Sequence, residues 1–219
     1  MKKAILFLLI SVLLATALAA CGSAVQLRYQ LDPPSSGEVL FSDDFSSPGS
    51  WEVWSDEYSV VDYNSDGLRF FVNQPDYIYW SRPSKDFIDV IVSVNALKVS
   101  GPDDNNFGVL CRYNNRDNYY YAVISSDGYL GIMKVQDGIH TLISSDQLQY
   151  SEVILQGDHQ ENHIRLECNG PNLALDVNDV RLAVAYDTDL TWGGVGLIVG
   201  TYEQIGVDIL FDDFEVVQP

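Results

Sequence analysis

Tyr119-Tyr120-Tyr121-Ala122-Val123-Ile124, then Ser125-Ser126-Asp127-Gly128, then Tyr129-Leu130-Gly131-Ile132-Met133-Lys134-Val135: this stretch sets the architecture of the chain. Two runs of aromatic and β-branched residues flank a short polar break. Such runs suit a pleated, half-buried surface. Asp127-Gly128 supplies the positive φ angles that a tight hairpin turn requires. Gln136-Asp137-Gly138 repeats the device and leads into a third run, Ile139 to Ile143. Period-2 alternation places Tyr120, Ala122 and Ile124 on one face and Tyr119 and Tyr121 on the other.

The same grammar extends outward in both directions. Tyr58 to Asp62 and Leu68 to Val72 flank Asn64-Ser65-Asp66-Gly67, a second hairpin. Further strands are expected over residues 87–99, 107–113, 163–169, 172–177, 195–201 and 207–217. No segment combines a 3.6-residue apolar period with helix caps. A dozen or so short strands in one domain predict an all-β sandwich of two antiparallel sheets over residues 38–217. Phe41-Ser42-Asp43-Asp44-Phe45 opens that domain and Phe211-Asp212-Asp213-Phe214 closes it, two strands expected to pair with Phe turned inward. Cys111 alternates with Val109, and Cys168 with Ile164 and Leu166, so both thiols should face the core. They are read either as a disulfide or as two small buried hydrophobes.

Several of these segments carry a family resemblance. The residues are Phe41 to Phe45, Gly108-Val109-Leu110-Cys111-Arg112-Tyr113, Asn118 to Tyr121, His163 to Gly170, Gly194 to Ile198, and Phe211 to Phe214. Together they resemble the concanavalin A-like, laminin G-like jelly-roll superfamily, especially exported modules related to the 3-keto-disaccharide hydrolase domains. The resemblance covers nearly all of residues 38–217 and implies a jelly roll. It does not specify an activity, because this fold carries lectins, glycosidases and interaction modules alike.

The N-terminus speaks to location. Lys2 and Lys3 precede an apolar run from Ala4 to Ala20, interrupted by Ser11 and Thr16. A basic start, an apolar middle and small residues before a cut form an export signal over residues 1–20. Leu18-Ala19-Ala20-Cys21 resembles the lipobox of bacterial lipoproteins, which implies lipidation of Cys21 and an extracytoplasmic, membrane-anchored protein. Ala17-Leu18-Ala19 would also serve ordinary cleavage without lipid. A spanning helix needs about 20 apolar residues, more than this run offers. Residues 21–37, with Pro33-Pro34-Ser35-Ser36-Gly37, read as a tether. The formal charge is −19, and −21 once Lys2 and Lys3 are removed. Such acidity argues against binding nucleic acid or anionic lipid through electrostatics.

Candidate chemistry is sparse. With Val109, Cys111 and Tyr113 turned inward, Leu110 and Arg112 should point outward beside Tyr119 and Tyr121. The strand around Val90 to Ala96 presents Ser93 and Asn95 outward, and in the resembled fold it shares their sheet. Tyrosine rings with Arg and Asn donors form a reasonable sugar platform. Ser93, Asn95, Arg112, Tyr119, Tyr121 and Trp80 are therefore the candidate ligand-binding residues. No catalytic residue is assigned: the Glu-x-Asp-x-x-Glu motif of jelly-roll glucanases is missing, and His140, His159 and His163 lack metal-ligand spacing. Asp43, Asp44, Asp212 and Asp213 could crowd at the paired termini and hold a structural calcium, or face water as a solvated edge. No other cofactor is implied. The expectation is a non-catalytic lipoprotein binding a glycan or another cell-envelope ligand. A glycoside hydrolase of the same fold and a structural or protein-interaction module are the alternatives.

Overall fold

The computed structural model describes residues 36–64 and 67–219. The signal segment, Cys21 and nearly all of the tether lie outside the described residues. Within them the chain forms strands and no helix. The first six are β1 (Val39–Asp43), β2 (Trp54–Ser55), β3 (Ser59–Asn64), β4 (Gly67–Val72), β5 (Ile78–Ser81) and β6 (Asp86–Phe87). Long central strands come next: β7 (Val90–Ser100), β8 (Asn105–Asn115), β9 (Asn118–Ile124) and β10 (Tyr129–Gln136). Then come β11 (Ile139–Leu142), β12 (Gln149–Tyr150), β13 (Glu161–Asn169) and β14 (Asn172–Val177). The last are β15 (Val180–Tyr186), β16 (Gly193–Thr201) and β17 (Val207–Val217).

All pairings are antiparallel and fall into two sheets. One runs β15-β14-β13-β7-β17-β4-β3-β2, with β1 also on β17. The other runs β11-β10-β9-β8-β16-β5, with β12 on β10 and β6 on β16. The hairpin read from Tyr119 to Val135 is β9-β10, with Ile124 opposite Leu130 and Tyr119 opposite Val135. The two ends of the domain meet as β1 on β17, where Asp43 faces Phe214. β15 and β5 were not legible. β15 begins with exposed residues where a continuous run would be expected, and β5 is four residues between turns.

Alternation fills the space between the sheets. Val90, Val92, Val94 and Ala96 of β7 meet Val109, Cys111, Tyr120 and Ala122 of β8 and β9 in one buried cluster. Two bulges interrupt that alternation. In β17, Phe211 and Phe214 are both buried although three residues apart, and Asp213 between them takes φ 51° while the pairing with β7 shifts. An extra left-handed residue restores the inward phase. The second bulge lies in β8 at Arg112, φ 50°, where the pairing with β9 slips between Cys111 and Asn115. A disulfide joins Cys111 of β8 to Cys168 of β13, and so ties one sheet to the other across the core.

Candidate functional site

The bulge at Arg112 redirects the remainder of β8. Leu110 points to the outer face of the eight-stranded sheet, as alternation requires. Tyr113, expected in the core, instead packs on that same outer face, because the inserted residue reverses the phase of the strand. Arg112 itself is buried rather than presented to a ligand. Its Nη1 donates to Leu190 O at 2.8 Å, its Nε to Ile88 O at 3.4 Å, and its Nη2 to Asp89 Oδ1 at 3.0 Å. The guanidinium is a brace between two loops. Its planar fork of donors suits that task.

The outer face of this sheet carries a second, smaller apolar cluster. Leu110, Tyr119, Tyr121, Val123, Val135 and Ile198 form its buried part, with Ile78, Trp80, Tyr113 and Met133 packed against it. Tyr119 and Tyr121 do turn away from the core, yet the surrounding rings cover them almost completely. The aromatic groups make a continuous series. Trp80 lies 6.0 Å from Tyr113 and 5.7 Å from Tyr119, Tyr119 lies 5.7 Å from Tyr121, and Tyr121 lies 5.8 Å from His140. The Arg82 guanidinium sits 3.8 Å from the centre of the Tyr113 ring, a cation–π contact at the edge of the series.

Of these side chains, Ile78, Trp80, Tyr119, Tyr121, Val123 and Met133 line a groove of about 630 Å³. Its rim adds Asp76, Tyr77, Asn106, Arg116, Asp117, His140, Thr201 and Tyr202. Gly200 of β16 lets the Asn106 side chain lie across it: a Cβ there would stand 2.6 Å from Asn106 Oδ1. Tyr121 and His140 share a hydrogen bond at 2.9 Å between the phenol oxygen and Nδ1. Partial removal from water holds His140 below its ordinary value, so the ring is neutral at pH 7. Burial likewise pushes the Tyr119 and Tyr121 phenols up. Two polar atoms here, Asn106 Oδ1 and the Tyr119 hydroxyl, are buried without a hydrogen-bond partner. The groove thus joins a largely covered aromatic floor to polar groups at its rim, an apolar concavity with a few polar groups as small-ligand sites have.

Of the residues proposed from sequence, the structure brings together Trp80, Tyr119 and Tyr121. Ser93 and Asn95 are elsewhere. β7 belongs to the nine-stranded sheet, so their outward direction is the opposite side of the molecule. Ser93 is paired there with Arg165 and Glu215, and Asn95 Nδ2 donates to Asp213 Oδ2 at 3.1 Å. Period-2 alternation decides which side of a sheet a residue takes, not which sheet the strand joins. Tyr113, Asn106, His140 and Tyr202 were missed. Tyr113 was hidden by the bulge, and the others lie on strand ends or turns, where alternation gives no direction.

Asp43, Asp44 and Asp213 do line one acidic hollow near the termini. Their oxygens are engaged locally. Asp43 accepts from Trp51 Nε1 at 3.0 Å and from the Phe45 N–H, Asp44 from the Ser46 N–H, and Asp212 Oδ1 from the Asp213 N–H. Among the described residues, no three His, Cys, Asp or Glu side chains converge as a metal site would need.

Neither protein-family models nor curated sequences match the chain. Solved structures do. The carbohydrate binding module CBM66 from Bacillus subtilis superposes with a TM-score of 0.63 at 13% identity, over 78% of this chain and 96% of that one. A Bacillus subtilis protein with a galectin-like fold gives 0.60 at 14%, over 84% and 97%. The Bacillus licheniformis β-glucanase gives 0.61 at 10%, over 82% and 98%. At such low identity these likenesses establish the fold: the described domain is a concanavalin A-like jelly roll.

Proposed function

We propose that this protein is an exported lipoprotein, anchored through lipid on Cys21, whose jelly roll binds a glycan in the groove on the outer face of its eight-stranded sheet. The observation that carries the reading is the aromatic series Trp80-Tyr119-Tyr121 along the groove, continued by His140 at its rim. Sugar rings offer apolar faces edged by hydroxyls, and such a floor with polar groups at its rim complements both. The fold is shared with a carbohydrate-binding module, which supports the reading without specifying the sugar.

Binding without cleavage is argued from the carboxylates. Asp76 and Asp117 are the acids along the groove. The Asp76 backbone N–H donates to Tyr202 O, next to the Thr201–Asn105 pair that starts β8, whereas Asp117 lies just past the other end of that eleven-residue strand. Glycoside hydrolysis needs two carboxyl groups about 5–9.5 Å apart across the scissile bond. Opposite ends of β8 do not supply that.

A glycan array followed by titration calorimetry on the lipidated protein in detergent tests the proposal. At least one polysaccharide class should bind, and Tyr121→Ala and Trp80→Ala should each weaken it roughly tenfold, about 1.4 kcal/mol. Absence of binding to any glycan, or affinity indifferent to both substitutions, overturns the assignment. Release of reducing ends by the wild type would favour the hydrolase instead.

A further inference from the structure

Both ends of the domain leave the sandwich at the same end. The Gly37 N–H donates to Gln218 O at 2.8 Å, Val39 pairs with Val217, and Val217 pairs with Ile91 at the start of β7. The tether therefore arrives beside the β6–β7 turn. That end of the molecule is unusually apolar at its surface. Tyr186, Ile88 and Ile139, three of the four most exposed large apolar side chains among the described residues, all belong to it, at 72%, 68% and 68% exposure. Trp192 joins them at 53% and shares a surface hollow with Ile88. Register places each one there. Tyr186 is opposite Asn172, next to Gly170, whose N–H donates to Asp89 Oδ1, and Ile139 comes after Gly138, whose N–H donates to Asp117 O.

Two further features distinguish this end. Its loops are held in place: Arg112 binds the carbonyls of Ile88 and Leu190 together, and Asn114 Nδ2 donates to Trp192 O at 3.0 Å. Its acids are partly paired: Asp89 with Arg112, Asp117 with Arg116, and Asp187 and Asp189 with the single Lys134 at 2.6 and 2.7 Å, while Asp86, Asp137 and Glu38 lie at this end as well. The acidity that remains meets no Coulomb repulsion from a zwitterionic headgroup layer, which carries no net charge.

We infer that this end docks on the lipid bilayer that holds the anchor, with Ile88 and Trp192 reaching the headgroup–acyl boundary. The inference rests on the lipid-anchor part of the proposed function. The occupant is argued from chain length: about sixteen residues separate Cys21 from Gly37, and a chain of that length spans at most about 55 Å. The end of the domain that carries Gly37 is thereby the one drawn toward the membrane. Tryptophan and tyrosine favour such interfaces because one edge is apolar and the other takes up hydrogen bonds.

The test uses the lipidated full chain in phosphatidylcholine vesicles with brominated or plain acyl chains. Brominated lipid should quench most of the fluorescence that Trp192 contributes, taken as wild type less Trp192→Phe. Ile88→Asp should abolish the quenching while the protein still sediments with the vesicles. Equal emission from Trp192 in both vesicles overturns the inference. So does a Trp192 shielded from aqueous iodide yet untouched by brominated lipid, which would put a protein partner there. Mass spectrometry of the same sample separates the two layers. Lipid on Cys21 without quenching removes only the docking, whereas an unmodified Cys21 removes the anchor and the docking together.

Discussion

Arg112 shows how one residue can look like a ligand-binding group and serve another purpose. Its position in an alternating strand points it outward, and a basic side chain beside three tyrosines invites a sugar. The left-handed backbone at φ 50° turns it under the loops instead, where it neutralises Asp89 and satisfies two carbonyls. Arg112→Ala should destabilise the protein by about 3 kcal/mol, since it strands a partly covered carboxylate and two acceptors. Urea denaturation reads that loss. Glycan affinity of the folded variant should stay within about twofold of wild type, because the guanidinium lies outside the groove. Arg112→Lys should recover little of the stability, for an ammonium cannot span all three acceptors. No local sequence signal announced this bulge, as a positive φ at a non-glycine residue leaves no turn dipeptide to read. Tyr113 was misplaced for the same reason.

At the scale of elements, hairpins and faces were legible while sheet membership was not. Ser126-Asp127-Gly128 and Gln136-Asp137-Gly138 announced β9-β10-β11 because turn chemistry is local. The alternation of β7 correctly turned Ser93 and Asn95 outward, but which sheet β7 joins depends on long-range pairing with β13 and β17. Two more of the links between the sheets, besides Arg112 to Asp89, each yield a prediction. The Cys111–Cys168 disulfide closes a separation of 57 residues. Reduction, or Cys111→Ala with Cys168→Ala, should cost about 4 kcal/mol by the loop-entropy relation, visible as a lower denaturation midpoint. The second link is Asp187, which lies just past β15 in one sheet and accepts from Tyr120 of β9 at 2.5 Å and Lys134 of β10 at 2.6 Å in the other. Burial alone would raise the Asp187 carboxyl. The bonds from Lys134 and Tyr120 outweigh burial and hold it below its ordinary 3.8, while burial and Asp187 push the Tyr120 phenol up to about 12. A depressed carboxyl stabilises the fold fully above its unfolded value and ceases to do so as pH falls through the folded one. Wild type should therefore lose stability below about pH 4 more steeply than Asp187→Asn, measured by chemical denaturation at a series of acid pH values.

Across the whole molecule, charge acts in two opposed ways. The carboxylates give a net charge of −19, which keeps the surface soluble and also strains the compact state by self-repulsion. Raising ionic strength from about 0.01 to 0.15 M shortens the screening length from roughly 30 to 8 Å and should raise the melting temperature. Calorimetry over that salt range checks it, and a melting temperature that falls would mean attractive pairs dominate. The placement of the termini has a mechanical consequence. If the groove grips an immobile polymer while the tether is pulled, the load enters at Gly37 and runs along β1. Hydrogen bonds between antiparallel strands lie across the strand direction. The pairs from Val39–Val217 to Asp43–Phe214 would therefore resist in shear, sharing the force at once instead of peeling apart singly. Under such a load β1 would be pulled in its stronger direction, and the domain would hold under tension as well as at rest.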